Sequence, residues 1–146
     1  MSSSHESQAA TPKVLVVDDE EDIVAYLVAV LEDNGFRAVG ESNAGAALEV
    51  VRKEQPDLIL LDIMMPEQSG LSLYRDIRSN RATSTVPVII ISGYSREEDL
   101  VRMVAQLDAG ESRLPNGYLE KPISVPKFLQ RLRNLFERQG NSEGHE

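Results

Sequence analysis

Asp18, Asp19, Asp62, Ser92 and Lys121 each sit at or just beyond the end of a short apolar run, where packing asks for no polar group. A carboxylate closing a run such as Leu58-Ile59-Leu60-Leu61 costs free energy unless something pairs with it. If these residues converge, three carboxylates meet one hydroxyl and one ammonium. Two carboxylates about 4 Å apart repel by roughly 4 kcal/mol at an effective dielectric of about 20, so three cannot stay ionised together without a cation. A ligand set of oxygens, with no cysteine in the chain and no histidine in these runs, selects a hard ion, and Mg²⁺ is the usual choice where phosphate is involved. A carboxylate beside such an ion, facing a lysine and a hydroxyl, is suited to accept a phosphoryl group by in-line attack.

The elements that must position these residues follow from hydrophobic pattern. Residues 13–17, 36–40, 58–61, 86–91 and 117–119 are short, mostly β-branched or apolar runs that do not alternate with polar residues, as strands buried on both faces do. Between them lie segments of helical period. Ile23, Tyr26, Leu27, Val30 and Leu31 mark the first, closed by Asn34-Gly35. The second spans about 44–53, and the third begins at Ser69-Gly70 and carries Leu71, Leu73, Tyr74 and Ile77. Ser95 and Glu98 form a capping box opening a fourth, with Leu100, Val101, Val104 and Leu107 on one face. The fifth runs from about Ser124 to Arg138. Five strands alternating with five helices predict a flavodoxin-like, doubly wound parallel sheet of strand order 2-1-3-4-5. Ligands bind such sheets outside the carboxyl ends of the strands, where the order reverses, here between the first and third strands. Singly, each of the polar residues is a helix cap, a turn former or a solvated charge. Together they fall on the one edge where this architecture binds ligands.

Composition bounds the rest. A chain of 146 residues, 41% hydrophobic and 27% charged, is one domain with ordinary globular composition. Its formal net charge of −9 disfavours direct binding to nucleic acid or anionic lipid. The absence of cysteine fits a reducing compartment, and neither a signal peptide nor a membrane span is visible, so a cytoplasmic location is expected. Residues 1–11 and 139–146 read as flexible tails flanking a domain over 12–138.

In combination the runs resemble the receiver domain of two-component response regulators, from about Lys13 to Arg138. The matching pieces are Val14-Leu15-Val16-Val17-Asp18-Asp19, Leu60-Leu61-Asp62-Ile63-Met64-Met65-Pro66 followed by Gly70, Ile90-Ile91-Ser92-Gly93, and Tyr118-Leu119-Glu120-Lys121-Pro122. The resemblance implies that Asp62 is the phosphoacceptor. It also implies that Asp19 binds Mg²⁺ directly and Asp18 largely through water, with the Met64 carbonyl as a further ligand. Ser92 and Lys121 would contact phosphoryl oxygens, and Tyr118 would be the aromatic switch that turns inward with Ser92. The Lys121–Pro122 bond would be cis. Implied partners are a sensor histidine kinase or phosphotransfer protein and a downstream protein effector, with the chain a monomer or a phosphorylation-dependent dimer. Its only catalysis would be of its own phosphorylation and dephosphorylation.

Two rivals are weaker. A haloacid-dehalogenase-type phosphatase wants a second Asp two residues after the nucleophile, and that position is Met64. An interaction module indifferent to phosphorylation would have no use for the five polar residues. After Arg138 only a polar tail is seen, so output through a protein surface is expected. The interval from Ser92 to Lys121 exceeds the family's usual length by roughly two helical turns, concentrated in 106–116, and this excess is expected to form part of a partner surface or to alter dimerisation there. Met64 and Tyr94, each two residues beyond a site residue, are expected to restrict the attacking water and lengthen the life of the acyl phosphate. Replacing them together (Met64→Asn with Tyr94→Glu) is therefore expected to speed dephosphorylation in a phosphoryl-decay assay; an unchanged rate would sink the idea.

Overall fold

Backbone groups of a buried strand must find partners on both sides, and a parallel sheet covered by helices provides them. The computed structural model describes residues 11–63, 70–93, 102 and 115–144, with side chains through 137. In chain order these form β1 (Lys13–Val17), α1 (Glu21–Asp33), β2 (Arg37–Glu41), α2 (Ala44–Glu54), β3 (Leu58–Asp62), α3 (Gly70–Ser79), β4 (Val88–Ser92), β5 (Gly117–Glu120) and α4 (Val125–Gly144). The strands make one five-stranded sheet of order β2-β1-β3-β4-β5, every pair parallel. The expected architecture is the observed one. The helix expected over 95–107 lies outside the described residues except for Arg102, which is helical, and of the 106–116 segment only Pro115 and Asn116 are described.

The two faces of the sheet carry separate cores. Leu15, Val17, Ile59, Leu61 and Ile90 point to one side, against Ala47 and Val51 of α2 and Leu73, Tyr74 and Ile77 of α3. Val14, Val16, Leu58, Leu60, Ile89 and Ile91 point to the other, against Val24, Leu27 and Leu31 of α1 and Phe128, Leu129 and Leu132 of α4. Continuous apolar strands are thus explained, because each residue has a helix to pack on whichever way it points. Helix α1 lies so close to β2 that a Cβ on Gly40 would collide with Val24.

Several details differ from the expectation. Strand β2 starts at Arg37 because the Phe36 amide donates to the Leu31 carbonyl at 3.0 Å, completing the end of α1, where Gly35 has φ 92°. Phe36 packs instead on Phe136, ring centroids 5.9 Å apart. Strand β4 starts at Val88 because the Val86 amide turns back to Thr83 and Pro87 has no amide hydrogen. Tyr26, one of the residues whose spacing marks α1, is 55% exposed; the inward stripe is Val24, Leu27 and Leu31. Helix α4 continues past Arg138 to Gly144.

Arg78 clasps the end of α3 to the segment entering β4. Its Nη1 donates to the carbonyls of Ser84 (3.2 Å) and Val86 (2.6 Å), and its Nε donates to the Tyr74 hydroxyl at 3.1 Å. Burial raises the pKa of Tyr74 above its ordinary 10.0, against the lowering effect of Arg78. A tyrosine whose folded pKa is raised contributes stability that is complete below its unfolded value and is lost as pH rises through the folded one. Thermal melts above about pH 10 should therefore show a steeper loss of stability in wild type than in Tyr74→Phe; parallel curves would contradict the assignment.

Candidate functional site

Register alone brings the polar residues to one edge. Val17 is level with Leu61, so Asp18 is one step beyond β1 and beside Asp62, the last residue of β3. Asp62 is level with Ile91, which places Ser92 one step further at the end of β4. Ser92 is level with Glu120, and Lys121 follows, its amide donating to the Ser92 carbonyl at 2.8 Å. The Lys121–Pro122 peptide bond is cis.

Lys121 Nζ sits between the two buried carboxylates. It donates to Asp18 Oδ2 at 3.0 Å and to Asp62 Oδ2 at 3.4 Å, and lies 3.6 Å from Glu20 Oε1. Asp18 is 0% and Asp62 2% exposed, which is tolerable only with a counter-charge at hand. Burial alone would lower the pKa of Lys121; the hydrogen bond to Asp18, with the charges of Asp62 and Asp18, outweighs it, and the pKa is raised above its ordinary 10.5. The second oxygen of Asp18 accepts the Glu20 amide at 2.9 Å. Asp19, more open to solvent, completes a cluster in which one oxygen each from Asp18, Asp19 and Asp62 lie within 4.8 Å of one another. One lysine cannot balance three carboxylates and Glu20. A hard divalent cation fits this donor set, as the residue types alone required.

Ser92 is fully buried at the end of β4. Tyr118 is on β5, level with Ile90, and packs against the core that holds α2 and α3; its hydroxyl oxygen is buried. Its carbonyl accepts from Arg131 Nη1 of α4 at 3.1 Å. Met64 and Tyr94 lie outside the described residues.

Two residues here carry more than their sequence reading. Glu20 belongs to the acidic run Asp18-Asp19-Glu20-Glu21-Asp22 leading into α1, yet it reaches Lys121. Gly70, one of the residues carrying the resemblance, opens α3 directly beneath Asp62: a Cβ there would collide with the Asp62 carbonyl oxygen and with Ile63 Cα. Its amide donates to the Ile63 carbonyl at 3.3 Å. The glycine lets the helix approach the strand end that presents Asp62.

Comparison with known proteins agrees with this geometry. The family model described as the response regulator receiver domain matches residues 14–133. The chain is similar to the phosphate regulon transcriptional regulatory protein PhoB of Escherichia coli, 32% identical over 126 residues, 86% of this chain and 52% of PhoB. It therefore spans about half the length of that relative. It is also similar to the polar-differentiation response regulator DivK of Brucella anthropi, 30% identical over 125 residues, 83% of this chain and 93% of DivK. Among solved structures, the receiver domain of a Francisella response regulator superposes with a TM-score of 0.72 at 29% identity, over 88% of this chain and 99% of that one.

Gly70→Ala should force the Asp62 backbone or α3 to shift, at a cost of about 1–3 kcal/mol in urea unfolding. Unchanged stability would show that the contact is slack.

Proposed function

The chain belongs to the response regulator receiver domain family, and on that premise we propose that Asp62 is its phosphoacceptor, with Ser92 and Lys121 contacting the incoming group and Tyr118 reporting its arrival. The observation that carries this reading is Lys121 Nζ held between Asp18 and Asp62, 3.0 and 3.4 Å away, on the edge where the sheet order reverses.

The donor is a phosphohistidine of a sensor kinase or phosphotransfer protein. One Asp62 carboxylate oxygen attacks phosphorus in line, the P–N bond breaks, and its electron pair leaves with the imidazole, which takes up a proton. The product is an acyl phosphate on Asp62. Lys121, already a hydrogen-bond donor to the Asp62 carboxylate, follows the new charge to a phosphoryl oxygen. The Ser92 hydroxyl donates to another. Water attack at phosphorus later restores the carboxylate and releases phosphate.

Asp18, Asp19 and Asp62, with the Met64 carbonyl, would hold Mg²⁺, Asp19 directly and Asp18 largely through water. When bound, the ion supplies charge neutralisation for the equatorial oxygens of the transferring group. The chain is a phosphoacceptor whose chemistry is confined to its own phosphorylation and dephosphorylation.

Receiver domains engage histidine kinases and effectors, and the readout here is a protein-binding surface reached through Ser92 and Tyr118. The partly buried ring of Tyr118, with its buried hydroxyl, supports this reading, since a shift of Ser92 would be felt where β5 meets the α2 and α3 core. A net charge of −9 weighs against direct nucleic-acid binding by these residues. Among the described residues no helix is long and apolar enough to cross a membrane, and the reading places the chain in the cytoplasm.

Incubation with acetyl phosphate and Mg²⁺ should add the mass of one phosphoryl group, seen by intact mass spectrometry. The adduct should be absent in Asp62→Asn. An adduct of equal yield in that variant would overturn the assignment, and no adduct with any donor would favour an interaction module that ignores phosphorylation.

A further inference from the structure

Glu20 has no part in the proposed phosphoryl chemistry, yet its placement is specific. It is the N-cap residue of α1, with φ −91° and ψ 108°, and its side chain makes no capping hydrogen bond. The short side chains of Asp, Asn, Ser and Thr cap that position, whereas the longer Glu side chain can reach past the first turn. Here it turns toward the crevice, Oε1 lying 3.6 Å from Lys121 Nζ. Its own amide meanwhile donates to Asp18 Oδ1 at 2.9 Å, and Asp18 Oδ2 holds Lys121 at 3.0 Å. Glu20, Asp18 and Lys121 thus close a ring, with Asp18 buried at its base and the Glu20 side chain, 60% exposed, at its rim.

Among the described residues, the carboxylates within ion-pair distance of Lys121 are Asp18, Asp62 and Glu20. The first two belong to the proposed cation site. A divalent cation and an ammonium repel each other, so a cation drawing on those oxygens loosens the hold of Lys121 on both. Glu20 is the acceptor that remains. We propose that Glu20 is a positioning residue, which keeps the Lys121 ammonium at the mouth of the crevice when a divalent cation engages Asp18. It thereby lowers the free-energy cost of admitting the ion while leaving Lys121 within reach of an arriving phosphoryl group. This inference rests on the reading of Asp18, Asp19 and Asp62 as a cation site.

The test is calorimetric titration of the full chain with Mg²⁺. Glu20→Gln should weaken binding about two- to fivefold, the range expected of an ion pair this exposed. Asp22→Asn removes an equal charge from the same helical turn and should weaken binding less. In a Lys121→Met background, the effect of Glu20→Gln should vanish, because the ammonium through which it acts is gone. Equal weakening by Glu20→Gln and Asp22→Asn would overturn the proposal, since bulk charge would then suffice; so would a full Glu20→Gln effect in the Lys121→Met background. Should Lys121→Met fail to give a cooperative thermal melt, the comparison of Glu20→Gln with Asp22→Asn decides alone. Absence of Mg²⁺ binding by wild type would instead remove the cation-site reading itself, and this proposal with it.

Discussion

The ammonium of Lys121 lies where two buried carboxylates would otherwise face each other across the end of the sheet. Asp18 and Asp62 come from strands that are neighbours in space and more than forty residues apart in the chain. Parallel pairing of β1 with β3 forces them together whether or not their charges agree. Lys121, delivered from the far edge beyond β5, neutralises part of that charge and is itself fixed by its amide to the Ser92 carbonyl. The arrangement is balanced for a fold and unbalanced for a site: enough positive charge to keep the edge folded, too little to satisfy three carboxylates. On the proposed reading, that deficit would make the crevice receptive to a divalent ion and then to a phosphoryl group.

The rest of the structure holds this edge still. Strands buried on both faces have little freedom to slide, since a one-residue slip would reverse every side chain between the two cores. Helix α3 is drawn against the end of β3 by Gly70, and α1 against β2 by Gly40. Rigidity behind the site is what would let a small event at Ser92 be felt at Tyr118, two strand residues back on β5. A soft sheet would absorb the change; a close-packed one passes it on.

Much of this was legible in the chain, because the signals were of the strongest physical kind. Apolar runs that do not alternate mean burial on both faces, and the strand order followed from handedness. With strand order known, Asp18, Asp62, Ser92 and Lys121 had to share an edge. What sequence hid were choices decided by neighbours. Tyr26 keeps helical spacing with Val30, but the inner stripe of α1 is centred on Leu27, leaving Tyr26 in solvent. Phe36 has the composition of a strand residue, but its amide is claimed by the end of α1. Glu20 is one acid in a run of five from Asp18 to Asp22, and only the fold shows that it turns toward Lys121. The phosphoryl-contacting roles proposed for Asp62, Ser92 and Lys121 come from resemblance, since charge and spacing alone specify a cation and an anion but not which oxygen attacks.

The proposed chemistry requires that Asp62 take the phosphoryl group, with the neighbouring acids holding the ion. The most direct measurement is residue-level trapping: treat the phosphorylated chain with borohydride, which reduces an acyl phosphate to an alcohol, digest it, and locate the modified residue by mass spectrometry. Homoserine is expected at position 62, with unmodified aspartate at 18 and 19. Reduction at either of those positions, with Asp62 intact in a chain that carries the phosphoryl mass, would contradict it.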